Sequence, residues 1–438
     1  MSNLMESEII KVWQYQLLDR KGLSTEDGEP IEIIYPGRIN DDQGADFRDA
    51  VIATSRGLMR GDIEVHVKSS SWRGHRHHRD VAYNRVILHV VMWHNTKIAT
   101  NLQNGRKIPV LALYKYIQNP AEPLPNWISF PSALDMPCRK VARFLPPGTL
   151  VGFLDKAGEE RFSAKATTFR ADLAQTEASQ SLYQGIMGAM GYSKNKLPFL
   201  ELARRLPLGV IESMSRSSMS DEECLNHQQA ILLGTAGLLP SQCQDRHQEN
   251  GLGSKWVDTL EGLWASSHGA DAMSADAWHL FKVRPRNSPI LRLVAMSHLL
   301  IRYREKGIFK ELINLVREVP VSRGYRRLEE GLLVTALGHG RAADITVNVL
   351  LPFTFAWSQF TYQPELGSKT FDLYRCHPKL SVNSVERHMV TQLGLSNGLV
   401  NSAQRQQGLI HTYSSLCTQG RCSDCWLSQL KAGNYVQS

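Results

Sequence analysis

The chain has 438 residues, 42% of them hydrophobic, and a formal net charge of +8. That length exceeds one compact core and sets an expectation of two or three domains, while the apolar content excludes a disordered chain. No apolar run nears the roughly 18–20 residues of a membrane span, and residues 1–8 lack a signal peptide's basic and apolar regions, so the expectation is a cytoplasmic protein without a membrane partner.

Residues 6–18 place Ile9, Ile10, Trp13, Leu17 and Leu18 at helical spacing and predict an amphipathic helix, with Glu8 on its polar side. Residues 31–36 read as a strand ended by Pro36-Gly37. A polar, turn-rich loop over 38–45 then delivers Asp46 to a second strand over 47–53. Next comes Gly61-Asp62-Ile63-Glu64-Val65-His66-Val67-Lys68, which alternates strictly between polar and apolar residues, the period-two signature of a half-buried strand. Ile63, Val65 and Val67 share one face. Asp62, Glu64, His66 and Lys68 share the other, roughly 6.6 Å apart at about 3.3 Å per residue. Two carboxylates, an imidazole and an ammonium in one row read as a site, against the plainer alternative of a solvated charged face.

Trp72 and a basic loop follow, with Arg73, His75, Arg76, His77, His78 and Arg79 crowded together. After a helical turn at 80–84, residues 86–93 are nearly all apolar and rich in β-branched types, as in a strand covered on both faces. A strand over 108–113 closes the sheet, so the first domain is read as 1–117. Residues 118–147, with seven prolines, read as a linker that carries Cys138. From 148 to 438 the pattern is helical: Leu150, Phe153 and Leu154 open one helix, Leu182, Ile186 and Met190 line another, Ile231, Leu232, Leu238 and Leu239 mark a third, and 290–301 a long buried one. The fold class expected is an α/β (α+β) domain with a small mixed sheet, followed by a large mainly α-helical domain.

On the first domain, Asp46 and Glu64 could supply the hard oxygen ligands that Mg²⁺ or Mn²⁺ takes, with His66 and Lys68 assisting phosphodiester hydrolysis and Asp62 in support. The basic balance suits nucleic acid: Trp72 offers a stacking face and Arg73, Arg76 and Arg79 phosphate contacts, the alternative being a solvated loop with Trp72 covering the sheet edge. His75, His77 and His78 would bind a transition metal weakly without further ligands, and His89 reads as a core histidine. Arg284 and Arg286 offer either phosphate contacts or buried ion pairs.

Seven cysteines, an odd number, argue for free thiols or metal ligands over a disulfide framework. Cys417, Cys422 and Cys425 form C-x4-C-x2-C, a spacing that wraps one zinc ion or iron–sulfur cluster once a fourth ligand joins. Cys138 is the first choice for that ligand, with Cys376 and His411 as alternates; Cys224 and Cys243 read as ordinary thiols.

The order Asp46, Glu64, His66 resembles the PD-(D/E)XK nuclease superfamily, in which a helix bearing an acid precedes an Asp-bearing strand and a Glu-x-Lys strand. The resemblance puts Glu8 on the helix and His66 where Lys is usual. Further motifs run along the chain: Pro36-Gly37-Arg38-Ile39-Asn40, Gly44-Ala45-Asp46-Phe47, Gly61 through Trp72, Met136-Pro137-Cys138, Arg284-Pro285-Arg286-Asn287-Ser288-Pro289, Asn348-Val349-Leu350-Leu351-Pro352-Phe353, Gln407-Gly408-Leu409-Ile410 and the three-cysteine tail. With these the chain resembles a bacterial family catalogued as domain of unknown function 2851. Ala45 stands where that family commonly has Pro, and Ser71 where it commonly has Asp. One upstream cysteine with three near the C-terminus is also similar to iron–sulfur recombination and CRISPR-associated exonucleases. That likeness implies a 4Fe–4S cluster, or zinc, stapling the tail. The two functional readings are a metal-dependent nuclease and a non-catalytic nucleic-acid-binding or scaffold protein.

Overall fold

The computed structural model describes residues 4–117, 137–142, 144–192, 194–214, 219–242, 254–267, 271–280, 283, 285–396 and 398–429. It is an α+β structure of two compact units. The first comprises Met1–Gly158, Val382–Val400 and Arg405–Ser438; the second comprises Glu159–Ser381 and Asn401–Gln404.

The first unit opens with helix α1 (Glu6–Tyr15), which buries Ile9, Val12 and Trp13 and ends where Gln16 takes a left-handed conformation. Six strands follow: β1 (Ile31–Tyr35), β2 (Arg38–Ile39), β3 (Phe47–Thr54), β4 (Gly57–Lys68), β5 (Val86–Trp93) and β6 (Val110–Ala112). They form one mixed sheet in the order β1-β3-β4-β5-β6, with β2 paired to β3. Pairing is antiparallel from β1 to β4 and parallel from β4 to β6. The change falls at β4 because the basic loop after it crosses over before β5 begins. Alternation decides what each face of β4 does. Ile63, Val65 and Val67 join α1, Ile33, Phe47 and Leu88 in one apolar core, while Asp62, Glu64 and His66 lie on the opposite face, themselves buried. Gly61 is needed where β4 runs against the chain entering β5, since a Cβ there would collide with the Arg85 carbonyl and Ile87.

A second core in this unit gathers helix α2 (Pro137–Ala142), the start of helix α3 (Pro147–Leu173) and the C-terminal elements. Leu150, Leu154, Met389, Leu409 and Leu427 pack with Tyr35 and Val51 of the sheet. Tyr413 Oη donates to Asp49 Oδ2 at 2.8 Å. This division differs from the linear one read from the sequence, 1–117, 118–147 and 148–438. Helical periodicity reports that a face is buried, not which core buries it, and the residues after 381 feed the sheet's core rather than a separate helical one. Most of the expected linker, 118–136, lies outside the described residues.

The second unit is helical. Leu182, Ile186, Leu202, Leu232, Leu299 and Phe353 belong to one large core among the described residues. The helix carrying Ile231 and Leu232 stops at Thr235; Gly237 then takes a left-handed conformation, and Leu238 and Leu239 reach the core beyond the helix end. Two of the sequence motifs act structurally here. Asn287 Oδ1 accepts from Arg292 Nη2 at 2.5 Å, and Ser288 Oγ caps the helix Pro289–Arg302 by accepting from Leu291 N. Asn348 lies in a π-helical turn, Thr346–Leu350, and accepts from Lys165. Arg284 and the side chain of Arg286 lie outside the described residues, as does Cys243. No helix among the described residues is long and apolar enough to cross a membrane.

Candidate functional site

The start of β3 and the middle of β4 bring Asp46 and Glu64 together. Asp46 N donates to Glu64 Oε2 at 3.1 Å, and Val65 N donates to Asp46 Oδ2 at 2.9 Å. The antiparallel pairing of Phe47 with Ile63 fixes this crossing. Burial, then the neighbouring Glu64 charge, pushes the Asp46 carboxyl up to about 7. Burial pushes Glu64 up to about 8, against the Asp46 backbone hydrogen bond that favours its charged form. A buried pair of carboxyls that resist ionisation marks a place short of positive charge.

Histidines surround the pair. Glu64 Oε1 lies 3.1 Å from His77 Nε2 and 3.5 Å from His66 Nε2. His66 Nε2 lies 3.1 Å from His75 Nδ1, and His66 Nδ1 lies 2.8 Å from His89 Nε2. Burial, followed by the other imidazoles, drops His66 to about 2, and burial drops His89 to about 3, so both are neutral lone-pair carriers at ordinary pH. His89 is buried as expected, but it touches the site: its register partner across the β4–β5 ladder is Glu64.

Several expected roles change. Glu8 caps its own helix, its Oε2 accepting from Met5 N at 2.8 Å. The acid of α1 that faces the site is Glu6, two residues earlier and so on a different face of the helix, whose carboxyl is raised by burial and drawn back by His75 and His77. Asp62 is fully buried in an ion pair with Arg48 at 2.8 Å and also accepts from Asp49 N, a structural role. Lys68 is exposed at the end of β4. Trp72 is not a stacking platform. It is 1% exposed, donates from Nε1 to Asn101 O, and packs against His77 and His89. An amphipathic indole behaves this way when one polar atom can be satisfied and the ring covered. Arg73, Arg76 and Arg79 remain exposed. Glu6, His75, His77 and His89 carry no local signature of membership; only the His-crowded loop hinted at two of them.

Cys138, Cys417, Cys422 and Cys425 line one cavity, together with Gln392 and Met389. Gln392 Nε2 lies 3.7 Å from both Cys138 Sγ and Cys417 Sγ, positioned to donate to each. Burial pushes the Cys138 thiol up to about 11, and raises Cys417 further and Cys422 as well, the neighbouring thiols adding to it. Cys376 is exposed in the helical unit, His411 stands outside the cavity lining, and Cys224 is buried against Arg304.

These observations define an α+β protein with a mixed N-terminal sheet, a mostly helical remainder and two clusters of metal-ligating residue types. The chain belongs to the family described as "Protein of unknown function (DUF2851)", which matches residues 6–322. No curated protein and no solved structure matches it.

Proposed function

We propose that this chain is a metal-dependent phosphodiesterase acting on DNA or RNA, with Asp46 and Glu64 at its hydrolytic site and the four cysteines as a structural clip. The observation that carries the reading is the carboxylate pair, buried, hydrogen-bonded through the backbone and hard to ionise without a cation beside it. The order of elements supports it: an acid on the first helix, then the Asp strand, then the Glu-x-His strand, with Glu6 taking the place first given to Glu8. The donor set fits a divalent ion. Mg²⁺ or Mn²⁺ held there would supply Lewis-acid chemistry to a phosphodiester and to the water that attacks it. Asp46 and Glu64 hold the cation, and His66, kept neutral, orients toward them rather than acting as an acid. Arg73, Arg76 and Arg79 meet the phosphates that flank the cut. The four thiols fit zinc or a 4Fe–4S cluster, and Gln392 is placed to donate hydrogen bonds to sulfur as it becomes thiolate.

The test is cleavage of labelled single- and double-stranded DNA and RNA with Mg²⁺ or Mn²⁺, wild type beside Glu64→Ala. Cleavage by wild type alone is the expected result. A second reading, binding without hydrolysis, is favoured by the exposure of Lys68 at the position nearest the usual lysine. Failure of both proteins to cleave, with salt-dependent binding that survives Glu64→Ala, would replace the first reading by the second.

A further inference from the structure

We infer that His66, His75 and His77, with Glu64, form a binding site for a transition-metal dication of the Zn²⁺ class, and that this ion fastens the basic loop to β4. Among the described residues these three imidazoles bring one ligand nitrogen each within 4.8 Å of the others, and Glu64 Oε1 adds an oxygen beside His66 and His77. The inference shares Glu64 with the hydrolytic reading but assigns an ion of a different class, on the histidine side of that carboxylate, and it stands even if nothing is cleaved.

Three further observations support the assignment. His77 Nε2 is buried with no aligned hydrogen-bond partner, although Glu64 Oε1 is 3.1 Å away; an orphaned imidazole nitrogen aimed at a carboxylate is what a shared cation would satisfy. His66 Nδ1 lies against His89 Nε2; with the shared proton on His66 Nδ1, Nε2 is left as a lone pair facing His75, the outer hydrogen-bond arrangement common around metal-bound histidines. Between two of the ligands, Arg76 has a left-handed backbone, φ 64°, which lets the chain reverse so that His75 and His77 both reach His66. A non-glycine residue in that region is strained and persists where surrounding contacts demand it. Imidazole-rich sites favour Zn²⁺, Fe²⁺, Ni²⁺ or Cu²⁺, whereas all-oxygen sites suit Mg²⁺. The loop alone would bind weakly. The sheet supplies the missing ligands, and His78 is left out of the set.

The test uses the full chain, its cysteine site already loaded, stripped of loosely held metal and titrated with Co²⁺ while visible absorption is followed. The expected result is one Co²⁺ site without the sulfur charge-transfer band of thiolate ligation, weakened at least about tenfold in His75→Asn and in His77→Asn, and resisting a roughly hundredfold excess of Mg²⁺. His75 is exposed, so its replacement leaves folding intact by circular dichroism; exposed His94→Asn serves as the control that binds normally. Trypsin provides the second readout: Co²⁺ or Zn²⁺ slows cutting after Arg73, Arg76 and Arg79 in wild type but not in His75→Asn. Unchanged Co²⁺ affinity in both ligand variants, or displacement by Mg²⁺ at equal concentration, overturns the inference. Binding as expected with no nucleic-acid cleavage sinks only the hydrolytic reading.

Discussion

Burial sets the charge state of Asp46 and Glu64, and that state is measurable. Their folded values, about 7 and about 8, lie above those of an unfolded chain, so the folded protein holds extra protons between pH 4 and 8. The stability this gives is complete at low pH and is lost as pH rises through 7 and 8. The neutral histidines act in the opposite sense, but their change is finished above about pH 6.5. Between pH 6.5 and 9, then, metal-free wild type should lose stability in urea unfolding, and Glu64→Gln should flatten that decline and be the more stable protein at pH 9. Trp72 makes a second residue-level case. Because the indole is covered and its N–H is bonded, Trp72→Ala should cost about 3–5 kcal/mol in the same assay, the range for large aromatic truncations in a core. A ring exposed for base stacking would cost far less.

At the scale of elements, β4 and the loop after it divide the work between holding and reaching. The strand buries Glu64 and His66 on a rigid ladder paired on both sides. The loop turns His77 inward and lays exposed His75 against His66 while leaving Arg73, Arg76 and Arg79 in solvent. If those arginines meet phosphates, each change to Ala should weaken nucleic-acid binding uniformly across sequences and lower the salt slope by about 1, as read from affinities at several salt concentrations. A change in sequence preference without a change in slope would place the contacts elsewhere.

Across the whole molecule, the chain leaves the sheet-bearing unit at Gly158 and returns to it at Val382. Cys138 lies before that excursion, and Cys417, Cys422 and Cys425 lie after it. An ion or cluster held by the thiols would therefore tie together two segments that the sequence holds far apart. A closed loop of this length is worth on the order of 5 kcal/mol by chain entropy. On the proposed clip, chelation of a metal from the thiols, or Cys425→Ser, should lower the melting temperature of the sheet-bearing unit by several degrees and expose the C-terminal helices to protease. Cys376→Ser, at an exposed thiol in the other unit, should change neither.

Local pattern alone determined the strands other than β2, the two faces of β4 and the C-x4-C-x2-C spacing of the last three cysteines, because alternation and ligand spacing are properties of neighbouring residues. What lay beyond it was membership across distance. Glu8 and Glu6 both begin an amphipathic helix, and only the packing of α1 decides which carboxyl faces the site. Trp72 reads equally as a stacking face or as a cover for the sheet edge, and its neighbours His77, Tyr83 and His89 decide for the cover. The helices after residue 381 show buried faces without saying whose core they complete. Tertiary structure decided these points, since burial and electrostatics are set by residues brought together from far along the chain.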